Sequence, residues 1–284
     1  MILISVLLLS AAFLFLWMHK VEVHDFRISR HGIHLRKTTE RPLSVLHLSD
    51  IHFAGPNPAM ARFFEKLAAE TFDLIVLTGD IIDCAEGVPL AVKTLSQLKC
   101  RHGFFAVFGN HDYYDYRIVD ALLHNFPGQP QPKNSNPTEE LKVSLEGAGI
   151  VVLRNETREI NIEGTAILIH GLDDPTTGRA NIRKTLENYD AGKINFLLTH
   201  SIDAFYDIGE NEIDLSFSGH SHGGQVRLPL IGPLLTHTMM GRDYAAGIVQ
   251  VKGAVCSVSR GIGYGRVLPF RLLCPPEAVV LTVN

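Results

Sequence analysis

Apolar residues along this chain fall into short runs that end in polar, turn-forming residues. Such runs occupy residues 43–48, 73–77, 103–108 and 194–198, and this pattern is typical of buried β-strands. Between the first three runs, residues 57–70 and 89–98 carry apolar side chains at helical spacing. The alternation of strand and helix predicts right-handed crossovers and a parallel sheet core.

The pattern changes after residue 112. Residues 118–123 and 141–148 have helical spacing, and residues 125–139 between them are rich in Pro, Asn and Gln. This composition predicts a long loop, which is either a functional lip or an inert mobile insert. A short strand is expected at residues 150–153.

Strands separated by turns predominate from residue 160 onward, apart from a polar helix near residues 180–189. The predicted strands are residues 160–162, 165–170, 194–199, 226–228, 246–251, 254–258 and 278–283. We expect them to complete a second, partly antiparallel sheet.

The N-terminal residues 1–18 are apolar apart from Ser5 and Ser10. As a helix they would span ~27 Å, which is close to the thickness of a bilayer core. A transmembrane anchor, a cleaved signal peptide and a buried helix are the three alternatives. No basic residue precedes the run, which favours an uncleaved anchor. Residues 19–42 then form a connector, in which residues 21–35 alternate loosely like an edge strand, and residues 43–284 form the globular domain.

Basic residues cluster directly after the apolar run, at Lys20, Arg27, Arg30, Arg36, Lys37 and Arg41. By the positive-inside rule this cluster predicts a single-pass protein of the cytoplasmic (inner) membrane with its domain in the cytoplasm. An ordinary solvated connector is the alternative.

The net charge of −4 gives no electrostatic reason to expect a nucleic-acid partner. The four scattered cysteines indicate free buried thiols rather than disulfides.

Metal-binding residue types follow four of the predicted strands, and a fifth motif lies at residues 219–222. The motifs are D-x-H, G-D, G-N-H-D, T-H and G-H-x-H, in that order, and the candidate metal ligands are Asp50, His52, Asp80, Asn110, His200, His220 and His222. Because open α/β sheets bind ligands at the carboxyl ends of their strands, we expect these side chains to converge. Carboxylate, imidazole and amide oxygen without thiolate suit hard to borderline divalent cations.

The order and spacing of these motifs resemble those of the calcineurin-like metallophosphoesterases, from Leu43 to the C-terminus. The resemblance implies a four-layer αββα sandwich of two mixed sheets flanked by helices. It also implies two divalent metal ions, Mn first, with Fe, Zn and Mg compatible. One ion would be held by Asp50, His52 and His222. The other would be held by Asn110, His200 and His220, with Asp80 bridging both.

The same resemblance implies hydrolysis by a metal-activated hydroxide that attacks phosphorus, without a covalent phosphoenzyme. His111 would face the leaving group as a proton donor or a charge stabiliser. Asp112, which stands where many members carry Glu, could orient that imidazole. His170 is interpreted as structural. A non-catalytic metal-binding scaffold is the alternative, and the complete ligand set favours the enzyme.

The substrate is expected to be phosphorylated and, because of the anchor, lipid-linked. The chain is similar to the membrane-associated branch of the family, which includes hydrolases of UDP-2,3-diacylglucosamine. The apolar segment 228–240 follows the last ligand motif directly, so it is either core beneath that loop or an apolar wall for an acyl chain. A generic phosphodiesterase or phosphatase acting on soluble substrates is the alternative.

Overall fold

The computed structural model describes residues 2–116, 132, 134–209, 213–266 and 269–284. It begins with an apolar helix, α1 (Ile2–Leu16), which continues through a π-helical turn (Trp17–Val21) and a 3₁₀ turn (Glu22–His24). By length and composition the 23 residues Ile2–His24 are sufficient to cross a membrane, and no residue of the apolar window within them is buried.

The first sheet has six strands in the order β1-β16-β2-β4-β6-β7. These are β1 (Arg27–Ile33), β2 (Leu43–Leu48), β4 (Leu74–Thr78), β6 (Phe104–Val107), β7 (Ile150–Val152) and β16 (Glu277–Val283). Four neighbours from β2 to β7 run parallel, while β16 is antiparallel to β2 and parallel to β1. The predicted parallel core and the edge strand within residues 21–35 are both present.

The second sheet also has six strands, in the order β14-β15-β11-β10-β9-β8. They are β8 (Glu156–Ile162), β9 (Thr165–Gly171), β10 (Ile194–Leu198), β11 (Leu215–Ser218), β14 (Gly247–Val251) and β15 (Ala254–Val258). The central four strands are parallel, and the two edge strands are antiparallel to their neighbours. Short strand pairs are made by β3 (Thr71–Phe72) with β5 (Lys99–Cys100), and by β12 (Arg227–Leu228) with β13 (Gly232–Pro233).

Buried apolar side chains hold the layers together. Val45, Val76, Phe196 and Phe217, from both sheets, belong to one cluster between the sheets. On the outer face of the first sheet lie α2 (Pro58–Ala68), α3 (Gly87–Leu95) and α5 (Thr138–Gly147). The outer layer of the second sheet is thinner, with the short helix α6 (Ile182–Thr185) and a 3₁₀ helix (Ile202–Tyr206). The four-layer αββα sandwich of mixed sheets is confirmed.

Two of the predicted second-sheet strands lie elsewhere. Residues 278–283 form β16 in the first sheet, because the chain returns after residue 274 to lie between β1 and β2. Residues 226–228 contribute only β12, in a separate hairpin. The predicted helix at residues 118–123 lies outside the described residues, as does most of the predicted loop at 125–139.

The apolar segment after the last ligand motif is exposed. It forms the hairpin β12–β13 and the chain that follows, and we call residues 227–240 the apolar hairpin. Its exposed large side chains are Leu230, Ile231, Leu234, Leu235 and Met239. The alternative in which this segment is core beneath the ligand loop is therefore wrong for most of its length. All four cysteines are free thiols.

An ion pair between the partly exposed Arg41 and the buried Asp73 secures the chain just before the first parallel strand. Asp73 accepts hydrogen bonds from the Arg41 guanidinium at 2.9 and 3.0 Å, from Arg101 at 3.2 Å and from the backbone N–H of Ser44 at 2.8 Å. Burial opposes ionisation, but the hydrogen bonds from Arg41 and Ser44 lower the pKa of Asp73 to about 2.

We expect Asp73→Asn to lower the free energy of unfolding by about 1–3 kcal/mol at neutral pH, because a charge-assisted acceptor is lost. The folded-state pKa lies below the unfolded value. The carboxylate therefore stabilises the fold above about pH 4, and this contribution disappears as pH falls through about 2. Urea unfolding in detergent micelles measures both effects. Asp25→Asn, which breaks an exposed pair with Arg27, is the matched control and should change stability little.

Candidate metal centre

Five strand ends from the two sheets deliver the predicted ligands to one place. Asp50 and His52 follow β2, Asp80 follows β4, and Asn110 begins helix α4 (Asn110–Tyr113) after β6. From the second sheet, His200 follows β10, and His220 and His222 follow β11. Six of the seven are buried, and His220 is partly buried.

Most of these ligands occupy strained backbone. Asp50, His52, Asp80, His220 and His222 all have positive φ, between 48° and 68°. This left-handed region is uncommon for non-glycine residues, and strain of this kind is often found at functional sites. The sharp turn that it produces directs each side chain away from its strand and into the space between the sheets.

Two glycines permit the close approach of the ligand turns. A Cβ on Gly109 would collide with the carboxylate and backbone of Asp80 and with the His200 ring. A Cβ on Gly219 would collide with Ser49 and with the Asp50 carboxylate. The G-N-H and G-H-x-H glycines are therefore required by packing at the site and not by chain flexibility alone.

The first ligand group contains Asp50, His52, Asp80 and His222, whose donor atoms lie within 4.8 Å of one another. The Nε2 atoms of His52 and His222 are 3.1 Å apart. His222 Nε2 lies 3.5 Å from Asp50 Oδ1, and His52 Nε2 lies 3.6 Å from Asp80 Oδ2.

The second ligand group contains Asp80, His200 and His220. His200 Nε2 lies 3.1 Å from His220 Nδ1, 3.2 Å from Asn110 Oδ1 and 3.4 Å from Asp80 Oδ2. Asp80 Oδ2 therefore lies beside both groups, while Asp80 Oδ1 accepts the backbone N–H of His111 at 2.8 Å. This is the position that a carboxylate bridging two cations would need.

The electrostatics of the cluster suit cations. Burial, followed by the neighbouring His200, holds the pKa of His220 well below its ordinary value, and burial with His52 does the same for His222. Neutral imidazoles keep a lone pair for coordination. Burial disfavours the charge on Asp80, but the surrounding histidines, His200 foremost, hold its pKa well below the ordinary value. Each ligand group contains one close pair of imidazoles, His52 with His222 and His200 with His220. The donor set thus fits two divalent ions.

His111 lies beside the first ligand group, and Asp83 holds its ring. His111 Nδ1 donates to Asp83 Oδ1 at 2.6 Å, and the His111 ring packs edge-on against His52 with centroids 4.6 Å apart. Burial lowers the pKa of His111, but the carboxylates of Asp80 and Asp83 more than offset this and raise it. Asp83 Oδ2 in turn accepts from the backbone and side chain of Arg266.

Asp83 was missed by the sequence reasoning. Its only local signal is its place three residues after Asp80, in the same turn after β4. The spacing does not identify the imidazoles that the carboxylate meets, because they come from other strand ends. They are His111 and also His52, whose Nδ1 lies 3.4 Å from Asp83 Oδ1.

The sequence predicts that Asp112 orients the His111 imidazole, but the structure does not bring these two side chains together. The Asp112 carboxylate instead accepts the backbone N–H groups of Ile81, Ile82 and Gly109, at 2.8, 3.0 and 2.9 Å. Adjacent residues at the start of a short helix point in different directions, so Asp112 turns inward while His111 faces the ligands. Asp112 holds the site's backbone, and the orienting contact belongs to Asp83.

His170 has a structural environment. Its ring nitrogens lie 2.7 Å from Thr157 Oγ1 and 2.9 Å from Asn195 Oδ1 within the second sheet. Both nitrogens therefore have partners away from the ligand groups.

The model of the calcineurin-like phosphoesterase family matches residues 43–224, which is more than half of the chain. The chain belongs to this family. The match contains all seven predicted ligands together with Asp83 and His111. Family membership and the cluster geometry together indicate a site for two divalent cations, and the protein is a metal-dependent phosphoester hydrolase.

Three curated relatives cover much of the phosphoesterase. An uncharacterized metallophosphoesterase of Bacillus subtilis, YkuE, is 32% identical over 75% of this chain and 68% of its own length. The phosphodiesterase YaeI of Escherichia coli is 28% identical over 93% and 91% of the two chains. The UDP-2,3-diacylglucosamine pyrophosphatase LpxG of Chlamydia trachomatis is 24% identical over 98% and 95%.

We predict that Asp83→Asn lowers kcat by about 10–100-fold while both metal ions remain bound, because the His111 ring loses its carboxylate partner. Steady-state kinetics and metal analysis by mass spectrometry measure the two quantities. Asp115→Asn is the matched control, since Asp115 also binds Arg266 but no contact joins it to His111. An equal loss in both variants would place the effect at Arg266 rather than at His111.

Proposed function

We propose that this phosphoesterase hydrolyses a lipid-linked phosphoester or pyrophosphate at the membrane that its N-terminal helix enters, with UDP-2,3-diacylglucosamine as the favoured type of substrate. The observation that carries the proposal is the direct packing of the helix's last turns against the chain that supports His222. An enzyme built in this way keeps its metal centre at the lipid surface.

The contacts between the helix end and the site involve a single intervening segment, residues 269–274. His19 Nδ1 donates to Pro269 O at 2.7 Å, and Met18 O accepts from the backbone N–H of Arg271 at 3.3 Å. Glu22, which is buried, accepts from the backbone N–H of Cys274 at 2.7 Å. These three bonds fix the segment to the helix.

The same segment contacts the ligand loop on its other side. The Cys274 thiol lies 3.2 Å from the carbonyl oxygen of His222, and Arg271 Nη2 lies 3.3 Å from His222 Nδ1. Arg271 is fully buried and also donates to the carbonyls of Arg260 and Gly263. One layer of residues therefore separates the end of the helix from a predicted metal ligand, which supports a substrate that is itself anchored in the bilayer.

In the proposed reaction the chain positions the phosphoryl group and supplies the proton for the leaving oxygen. Two divalent ions in the cluster would supply Lewis-acid stabilisation and an activated water. His111, protonated through its contacts with Asp80 and Asp83, donates to the departing oxygen. Asp50, His52 and His222 would hold one ion, Asn110, His200 and His220 would hold the other, and the Asp80 carboxylate would serve both.

Ligand chemistry and chain charge support the remaining assignments. Imidazole, carboxylate and amide ligands are compatible with manganese, iron, zinc and magnesium, and the family resemblance puts manganese first. The basic residues that follow the helix support a cytoplasmic domain on the inner membrane. The curated relatives support both a pyrophosphatase and a phosphodiesterase, since one is named for each activity, so a phosphodiesterase with a soluble substrate is the second candidate.

His111→Ala is expected to lower kcat by ~10²–10⁴ without loss of metal, because the leaving oxygen loses its proton donor. The loss should be smaller for p-nitrophenyl esters, whose leaving group needs no proton, than for alkyl esters. Paired kinetics on the two ester classes measure the difference. An equal loss on both would assign His111 to charge stabilisation instead.

The substrate proposal is tested with full-length protein in detergent micelles. We expect it to release UMP from UDP-2,3-diacylglucosamine at a kcat/KM at least ~100-fold above that for UDP-glucosamine, which has the same pyrophosphate but no acyl chains. Asp80→Asn, which lacks the bridging charge, controls for contaminating hydrolases. Equal kcat/KM on the acylated and unacylated substrates would overturn the lipid assignment and favour the soluble phosphodiesterase.

A further inference from the structure

The apolar hairpin carries an unusual amount of exposed apolar surface. Leu230 is fully exposed, and Ile231, Leu234, Leu235 and Met239 are each at least two-fifths exposed. Leu230 also has a φ of 66°, a conformation that costs a branched side chain free energy. A contiguous apolar patch on an otherwise folded surface is typical of a contact with a partner or a membrane.

The hairpin lies next to the end of the N-terminal helix. The Arg227 N–H donates to Leu272 O, and the Leu272 N–H donates to Gln225 O, each at 2.9 Å. Residue 271, which precedes Leu272, donates to Met18 O in the helix end. Leu273, beside it, is 54% exposed. One extended segment thus joins the apolar hairpin to the span, and it contributes apolar surface of its own.

This part of the chain contains basic residues but no acidic ones. Residues 219–242 contain no Asp or Glu, and neither do residues 259–276, although the whole chain has 30 acidic residues in 284. Of the five arginines in the two segments, Arg242 and Arg266 are exposed, Arg227 and Arg260 are partly exposed, and Arg271 is buried. Arg266 is also paired with Asp83 and Asp115. Carboxylates are costly at a lipid surface that carries negative charge, while arginine side chains are favourable there.

We propose that the apolar hairpin, together with Leu273, is a second membrane contact that enters the interfacial region of the bilayer beside the N-terminal helix. This inference rests on the proposed membrane location. The occupant is a lipid surface rather than a second copy of the chain, because the patch is continuous with the helix end and none of its own residues is acidic. A helix alone leaves a domain free to tilt, whereas two adjacent contacts fix which face meets the lipid.

The face of the domain that these two contacts turn toward the lipid also carries the metal centre. The ring of His237, in the apolar hairpin, lies 6.1 Å from the ring of the predicted ligand His220. A Cβ on Gly224 would collide with Pro233 of the hairpin, so hairpin and ligand loop are in close contact. Asp203 accepts from Thr238 Oγ1 and from the Met239 N–H, which secures the far end of the hairpin. A phosphorylated headgroup could then reach the metals while its acyl chains stay in the membrane.

The test uses full-length protein reconstituted into vesicles of phosphatidylcholine and phosphatidylglycerol. Ile231→Trp places a reporter in the hairpin, and vesicles with brominated acyl chains quench tryptophan that lies within the lipid. The natural chain has one tryptophan, Trp17, whose signal is measured in the wild type and subtracted. We expect the added tryptophan to emit at shorter wavelength than in water and to lose at least half of its fluorescence in brominated vesicles.

Val143→Trp is the matched control, because Val143 is also exposed (68%, against 53% for Ile231) but lies on α5 over the outer face of the first sheet. It should show no quenching. Absence of quenching at position 231, or equal quenching at both positions, would overturn the proposal. A blue-shifted emission at position 231 without bromine quenching would indicate a protein contact and would overturn it as well.

A second measurement separates this inference from the substrate proposal. Leu230→Ser with Ile231→Ser should abolish the membrane contact and raise KM for a lipid-linked pyrophosphate presented in vesicles by at least ~10-fold. The rate on bis-p-nitrophenyl phosphate should remain unchanged. If position 231 is quenched but the protein does not hydrolyse the lipid, the substrate proposal fails and the membrane contact stands.

Discussion

The structure depends on one carboxylate, that of Asp80, which lies where strand ends from two facing sheets meet. Its Oδ2 atom lies 3.6 Å from His52 Nε2 of the first sheet and 3.4 Å from His200 Nε2 of the second. This geometry requires the sheets to keep a fixed separation, which the apolar cluster between them sets. Below the site, His47 connects the sheets through Thr78 and Ser257, each at 3.0 Å, and burial lowers its pKa to about 3, so it stays neutral.

Holding the seven predicted ligands in this way has a cost in backbone strain. Five of them adopt positive φ, and Asp112 is the group that offsets part of that strain. Its carboxylate accepts three backbone N–H groups from the turns that carry Asp80 and Asn110. Burial, and then the nearby Asp80 charge, raises its pKa to about 7. Asp112 therefore supports the metal centre by fixing the main chain of these turns. Its place in the sequence had predicted a catalytic role instead.

Local sequence patterns predicted the strands and the positions at which they end. Each ligand follows an apolar run that ends in glycine or a polar turn residue, so the strand ends and their convergence were predictable. Sheet membership of β16 was not, because its residues suit any buried strand and its partners, β1 and β2, are more than 200 residues away. Asp83 was missed for a related reason, since its partner His111 comes from another strand. The exposure of the apolar hairpin could not be predicted either, because composition alone does not separate a core segment from an exposed one.

The end of the N-terminal helix is connected to the predicted metal centre through hydrogen bonds. Glu22 accepts from the backbone of Cys274 in a buried position, and Cys274 contacts the main chain of His222. Cleavage anywhere between Trp17 and His24 would remove that acceptor or free it from the helix, and would leave a buried N–H unsatisfied next to a ligand loop. These contacts support an uncleaved helix. They also make the helix end and the loop that carries His222 parts of one structural unit, because the segment that fixes the helix end also supports His222.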